Sequence, residues 1–200
     1  MLKVITISSL AAATLVTFAI TADKKPIEID VPDADITSAG LSLLAREHKA
    51  RLDYDCLNIT VYCEARSESD EGQQAVAEVI LNRWNSYKYP STICGVIRDH
   101  KQFSCWNDKA EENYKKTINA FAHPTKQELA VIMQVQENTH KAIQGFGGLA
   151  GLVLPPETDH YHTRQVDPYW NECAEQVATI DNHIFYKEVK PCKSRKGTDQ

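Results

Sequence analysis

A chain of 200 residues, 42% of them hydrophobic, is long enough to bury one substantial core and too short for several. Its 27 acidic residues outnumber 22 basic ones, and the resulting formal charge of −5 argues against a nucleic-acid partner. Six cysteines with no Cys-x-x-Cys pair among them read as disulfides of an exported chain, not as a zinc site.

Lys3 precedes an uncharged stretch, Val4 to Ala22, that Asp23, Lys24 and Lys25 terminate. Residues 1–22 therefore read as a signal peptide, or as an uncleaved signal anchor that would tether the chain to a membrane. Export to the periplasm, envelope or medium is the shared expectation. Residues 23–50 read as a linker, Pro- and Asp-rich to Asp35, followed by a helical arm from Ser38 to Ala50. A compact domain is expected over 51–190, and a basic tail over 191–200.

Within that domain the spacing predicts a helix over Asp53–Ala65 and a second over Glu71–Trp84, stopped by Tyr89-Pro90. A loop follows over Thr92–Asp108, with a helical turn around Ile93–Ile97. Two more helices are expected over Asn107–Phe121 and Thr125–Ile143; Thr125 and Glu128 have the spacing of a capping box. The glycine-rich segment from Gly145 to Pro156 is expected to be irregular. Asp159–Thr163 and His183–Val189 alternate as short extended segments. The sum is a mainly helical α+β domain with a few short strands.

One carboxylate stands out. Leu57, Val61 and Glu64 recur at i, i+4 and i+7, so Glu64 projects from an apolar helical face. A carboxylate there costs free energy unless it is neutral or paired, which suits either a proton donor or a helix-end ion pair. Arg66 is turned away from Glu64, whereas Glu68, one turn on, could share its groove.

Several fragments occur in a fixed order: Tyr62-Cys-Glu-Ala-Arg-Ser-Glu68, Gly72-Gln73, Ala75-Val-Ala, Val79-Ile-Leu-Asn-Arg83, Tyr89-Pro90 and Gln102-Phe-Ser104. His160-Tyr-His162, Pro168-Tyr-Trp170 and Asn182-His-Ile-Phe-Tyr186 complete the set. The set resembles the SleB-type cell-wall hydrolases, the spore-cortex-lytic and related peptidoglycan-cleaving enzymes. Cys63 departs from that pattern, which more often carries Gly or an aromatic there.

The resemblance implies a lysozyme-like domain whose central helix presents a catalytic Glu to a cleft. It also implies lytic transglycosylase chemistry with Glu64 as acid and then base, no cofactor or metal, and peptidoglycan as the partner of a monomeric enzyme. Ser104, Tyr161, His162 and Trp170 would line the sugar-binding groove, with Glu68 and Arg66 in support; core packing of Tyr161 and Trp170 beside Phe185 and Tyr186, and a turn role for Ser104, are the alternatives. Glu68 would pair with Arg66, Arg83 or a helix terminus.

Three alternatives stay open on residue chemistry. A hydrolytic muramidase or glucosaminidase would add a second carboxylate from Glu68, Asp70, Glu71 or Asp108. A zinc amidase would use Asp159, His160, His162 and His183. A lectin-like module would bind glycans without cutting them. For the cysteines, Cys94–Cys105 bracket one loop and are the favoured pair. Cys56 and Cys63, two helical turns apart, need partners elsewhere, and Cys173 and Cys192 remain.

Overall fold

The computed structural model describes residues 16–18, 27–29, 38–99, 102–106, 111–148 and 151–188. The chain divides into two compact units, 1–48 and 49–200. In the first, β1 (Val16–Phe18) pairs antiparallel with β2 (Ile27–Ile29). The rest of the expected leader and linker lies outside the described residues, as does the basic tail. Among the described residues no helix is long and apolar enough to cross a membrane.

Helix α1 runs unbroken from Ser38 to Ala65, where two helices were expected. The join at Arg51-Leu52 contains no Gly or Pro, and Lys49 Nζ bridges to Asp53 Oδ2 at 3.2 Å across it. The core face begins at Cys56 and continues through Leu57, Val61 and Ala65, the last three fully buried.

Helix α2 (Asp70–Asn85) starts at Ser69, whose hydroxyl accepts the Gly72 N–H. It is buried nearly all round from Gly72 to Leu81, which makes it the central helix of the domain. Helix α3 (Ile93–Arg98) and a 3₁₀ turn at Ser104–Trp106 occupy the expected loop. Helix α4 spans Glu111–Ala122 and α5 spans Lys126–Gly148.

The expected capping box opens α5: Thr125 N donates to Glu128 Oε2 at 2.8 Å, and Glu128 N to Thr125 Oγ1 at 3.2 Å. The helix also runs past Gly145, beyond the expected stop at Ile143. Gly145 is buried and Phe146 lies 6.4 Å from the Trp84 ring, so packing against α2 overrides the low helix propensity of glycine.

The sheet is antiparallel in the order β3 (His160–Thr163), β5 (His183–Glu188), β4 (Ala174–Ile180). Strand β4 was not foreseen. A register shift between Gln176 and Ala178 interrupts its alternation, so no period of two marks it in the sequence. A mainly helical α+β domain results, with Leu57, Val76, Val79, Ile80, Phe103, Val135 and Phe185 in one core.

The β4–β5 turn is moored to the α1–α2 connection. Ser69 donates its N–H and hydroxyl to Asp181 Oδ2 at 2.8 and 2.6 Å. Those two hydrogen bonds hold Asp181 below the usual carboxylate range. A Cβ on Gly72 would sit 2.5 Å from Asp181 Oδ2 and 2.9 Å from Glu68 Cβ, so the approach requires glycine.

The disulfides correct the favoured Cys94–Cys105 pair. Cys56 bonds Cys94 and Cys63 bonds Cys105, with Cα separations of 5.4 and 6.3 Å. The segment between Cys94 and Cys105 does not close on itself. Its two ends are tied to α1 two turns apart. Cys173 is also disulfide-bonded, and Cys192 lies outside the described residues.

Candidate active site

Glu64 is the penultimate residue of α1, half-buried beside the fully buried Val61 and Ala65. The acid is therefore on the helix before the central one. Its Oε1 accepts two hydrogen bonds from one residue, Ser104 N at 2.8 Å and Ser104 Oγ at 2.7 Å. Its Oε2 faces the Tyr161 hydroxyl at 3.4 Å. Three separate elements (the end of α1, the 3₁₀ turn and β3) thus converge on one carboxylate.

Tyr161 packs edge-on to His183 at 5.1 Å and against Phe185 at 5.8 Å. Burial pushes its phenol well above the usual tyrosine range, and the neighbouring charge of Glu64 adds to that. The group is consequently a fixed O–H donor. His183 is buried, and its Nδ1 has no hydrogen-bond partner among the described residues. Burial lowers its pKa below the ordinary histidine value, with His162 acting in the same direction; Glu68, Glu64 and Asp181 oppose that shift without reversing it.

A depressed histidine pKa makes the folded state the poorer proton binder. Its stabilising contribution is full above the unfolded value of about 6.5 and declines as pH falls through the folded value. We expect His183→Phe, which keeps the ring and removes the orphan nitrogen, to flatten the decline in stability below pH ~6.5. Urea unfolding at pH 7.5 and 5.5 on both proteins measures this, and parallel losses would exclude His183 as the cause.

Arg83 holds the Ser104 arm in place, a role that sequence spacing did not reveal. Buried on α2, it donates Nε to Asp159 O at 2.6 Å and Nη1 to Gln102 Oε1 at 3.0 Å. Its guanidinium stacks over Tyr89 and Phe103 at 5.5 and 5.3 Å. One side chain therefore fixes both the start of β3 and the segment before Ser104. Burial alone would raise the Asp159 pKa. The hydrogen bond and charge of His160, with Arg83 and Lys88, outweigh burial and hold it below the usual carboxylate range.

The remaining expected site residues are distributed differently. His162 and Trp170 are not on the Glu64 side. Successive residues of β3 point to opposite faces, so Tyr161 faces Glu64 while His160 and His162 face away. There His162 Nε2 meets Tyr186 Oη at 2.9 Å, and Trp170 lies edge-on to His162 at 5.6 Å. These two residues belong to an aromatic cluster behind the sheet.

Arg66 stacks over Tyr62 at 5.7 Å and pairs with no carboxylate among the described residues. Glu68 pairs with none of the partners expected for it. Its two oxygens accept from Asn182 N and Asn182 Nδ2, both at 3.1 Å, reinforcing the mooring of the β4–β5 turn.

The zinc ligand set does not converge. His160 Nδ1 is engaged by Asp159 Oδ1 at 2.7 Å, His162 uses both nitrogens on Thr163 O and Tyr186 Oη, and His183 lies on the other face. Among the described residues the metal-like grouping is Cys63, Glu64 and Cys105. Its sulfurs are joined in a disulfide and offer no thiolate, so the donor set does not fit a metal.

A model of the cell wall hydrolase family matches residues 67–186. Over 70 residues the chain is 47% identical to a spore cortex-lytic enzyme of Oceanobacillus iheyensis, covering 30% of this chain and 25% of that protein. Over 48 residues it is 50% identical to a spore cortex-lytic enzyme of Bacillus subtilis, covering 24% and 16% of the two chains. The matches span a quarter or less of these relatives.

Among solved structures, the catalytic domain of the Bacillus cereus SleB protein superposes with a TM-score of 0.50 at 26% identity, covering 68% of this chain and 91% of that one. The catalytic domain of a germination-specific lytic transglycosylase SleB from Bacillus anthracis gives 0.49 at 26% identity, covering 68% and 93%. Glu64 lies three residues before the family match begins, so its assignment rests on the geometry around it.

Proposed function

The chain belongs to the cell wall hydrolase family, and from that premise we propose that it cleaves the glycan strands of peptidoglycan with Glu64 as the proton donor. The observation that carries this is the asymmetry of the carboxyl group. Ser104 occupies Oε1 with two short hydrogen bonds, so Oε2, which meets only the longer Tyr161 O–H contact at 3.4 Å, is the oxygen that exchanges the proton. A binding module has no use for a half-buried carboxyl held in that way.

The proposed route needs a single acid. Glu64 Oε2 gives its proton to the glycosidic oxygen, the bond to the anomeric carbon breaks, and oxocarbenium character develops at that carbon. The carboxylate then takes the proton of the muramic 6-hydroxyl as that oxygen closes on the anomeric carbon, leaving a 1,6-anhydro end. The nucleophile is already tethered in the substrate, so no second carboxylate is required. Tyr161 O–H faces Oε2 and steadies the charge that appears there after proton transfer.

The state of two of the four rival carboxylates, Glu68 and Asp70, favours this single-acid route over hydrolysis; Asp108 lies outside the described residues. Both oxygens of Glu68 hold Asn182, and Asp70 Oδ1 accepts from Gln134 and Asn138 at 2.7 and 2.9 Å. We accordingly expect Glu68→Gln to keep turnover within about fivefold, the loss arising from a looser turn mooring, against the ~10²–10⁴-fold typical of a lost general acid or base. Mass spectrometry of the released muropeptides tests the route. Anhydro ends support it, whereas reducing ends combined with a collapse of turnover in Glu68→Gln would replace it with two-carboxylate hydrolysis. The disulfides suit a site of action outside the cytosol, where peptidoglycan lies.

A further inference from the structure

We propose that the Cys63–Cys105 disulfide is a thiol-exchange site that conditions the acid: oxidised, it holds Ser104 on Glu64, and reduced, it leaves a folded chain with impaired turnover. This rests on Glu64 being the proton donor. The bridge joins the residue before Glu64 to the residue after Ser104, so the covalent link and the two hydrogen bonds connect the same two dipeptides.

Two thiols, unlike two bonded sulfurs, must separate to van der Waals contact, a displacement of about 1 Å or more. Passed to the adjacent Ser104, such a shift carries hydrogen bonds of 2.8 and 2.7 Å to the limit of effective geometry. The exposed Ser104 would then exchange Glu64 for water.

The rest of the segment stays docked. Cys56–Cys94 ties its other end, Phe103 is buried, and Trp106 Nε1 donates to Thr60 Oγ1 at 2.9 Å. Reduction therefore acts locally on the turn at Ser104-Cys105.

The bridge is also approachable from one side. A cavity of about 290 Å³ is lined by Cys63 and Ser104 with Arg66, Lys116 and Thr117. Cys63 is half-buried, whereas Cys105 is buried with its sulfur 4.0 Å from the Thr117 hydroxyl. An incoming thiolate thus meets Cys63 beside Arg66 and Lys116, the latter paired with Glu112 at 2.7 Å and with Glu128 also on the cavity wall.

The thiolate of a dithiol reductant attacks Cys63 Sγ, the S–S bond breaks, and Cys105 leaves as thiolate and takes up a proton. The second thiol of the reductant then displaces Cys63. Two electrons and two protons are transferred, and the reductant ends as its own disulfide.

The test treats the oxidised full chain with a small dithiol, maps the freed thiols by alkylation and mass spectrometry, and follows amide exchange and glycan turnover. We expect labels on Cys63 and Cys105, at least tenfold faster exchange at the Ser104 amide, and a fall in kcat of tenfold or more with KM within twofold. The α2 amides of Val79 and Ile80 should stay protected, and reoxidation should restore turnover.

The double variant Cys63→Ser, Cys105→Ser should match the reduced protein and ignore the dithiol. Turnover within twofold of the oxidised value once both thiols are labelled overturns the proposal. So does a loss of turnover that tracks a loss of α2 protection, which would make the bridge merely structural. If the oxidised chain cleaves no glycan, the functional reading fails instead, and Ser104 exchange alone then decides whether the bridge governs the Glu64 contact.

Discussion

Replacing Glu64 with Gln should leave a folded, glycan-binding protein whose turnover is about 10³-fold lower, within the span that a positioned general acid contributes. The amide keeps the shape of the side chain, and its carbonyl can still accept from Ser104 N and Oγ, so the three converging elements stay together. It has no acidic proton to give, and no carboxylate to receive the one from the attacking hydroxyl. Sedimentation with insoluble cell walls should match the parent, as should the thermal unfolding midpoint. Turnover on the same walls should not. Cleavage within tenfold of the parent by a correctly folded Glu64→Gln protein would remove Glu64 from the mechanism.

Arg83→Met should lose about 3 kcal/mol of stability and, in the fraction that remains folded, roughly tenfold in kcat. The stability loss has an identifiable origin. The buried Asp159 carbonyl and the Gln102 amide each lose a charged donor, and Met restores neither hydrogen bond. The kinetic loss follows from what those acceptors belong to. One begins the strand that carries Tyr161, and the other lies two residues before Ser104. Urea unfolding gives the first number, and turnover corrected for folded fraction gives the second. A destabilised variant with unchanged kcat would confine Arg83 to the core.

The parts of this arrangement that were legible in the sequence are those that a helix writes into its own spacing. The i, i+4, i+7 recurrence placed Glu64 beside Leu57 and Val61, and Thr125 with Glu128 marked the start of α5 three residues apart. Strand parity was equally available: Tyr161 and His162 are neighbours on one strand and had to diverge, although the pattern His160-Tyr-His162 suggested a common wall.

Other features depend on partners distant in the chain and leave no local trace. Nothing near Arg83 announces that its acceptors lie at residues 102 and 159. Nothing near Cys94 says that it will meet α1 and not Cys105. The pairing becomes clear only once the two ends of the segment are seen tied to α1 two turns apart. Glu78 is a further case. Its position on α2 reads as an ordinary helical Glu, yet it is buried and accepts the Val153 and Leu154 N–H groups at 3.0 and 2.9 Å, fastening the connection after α5. Burial raises its pKa despite those donors.

The mooring of the β4–β5 turn limits how the sheet moves against the helices. Asp181 on Ser69 and Glu68 on Asn182 pin one tip of the sheet to the foot of the central helix, where even a methyl group on residue 72 would not fit. Breathing of the sheet must therefore pivot at that tip like a door on its jamb. Amplitude grows with distance from the jamb, so the sheet yields least beside the pivot.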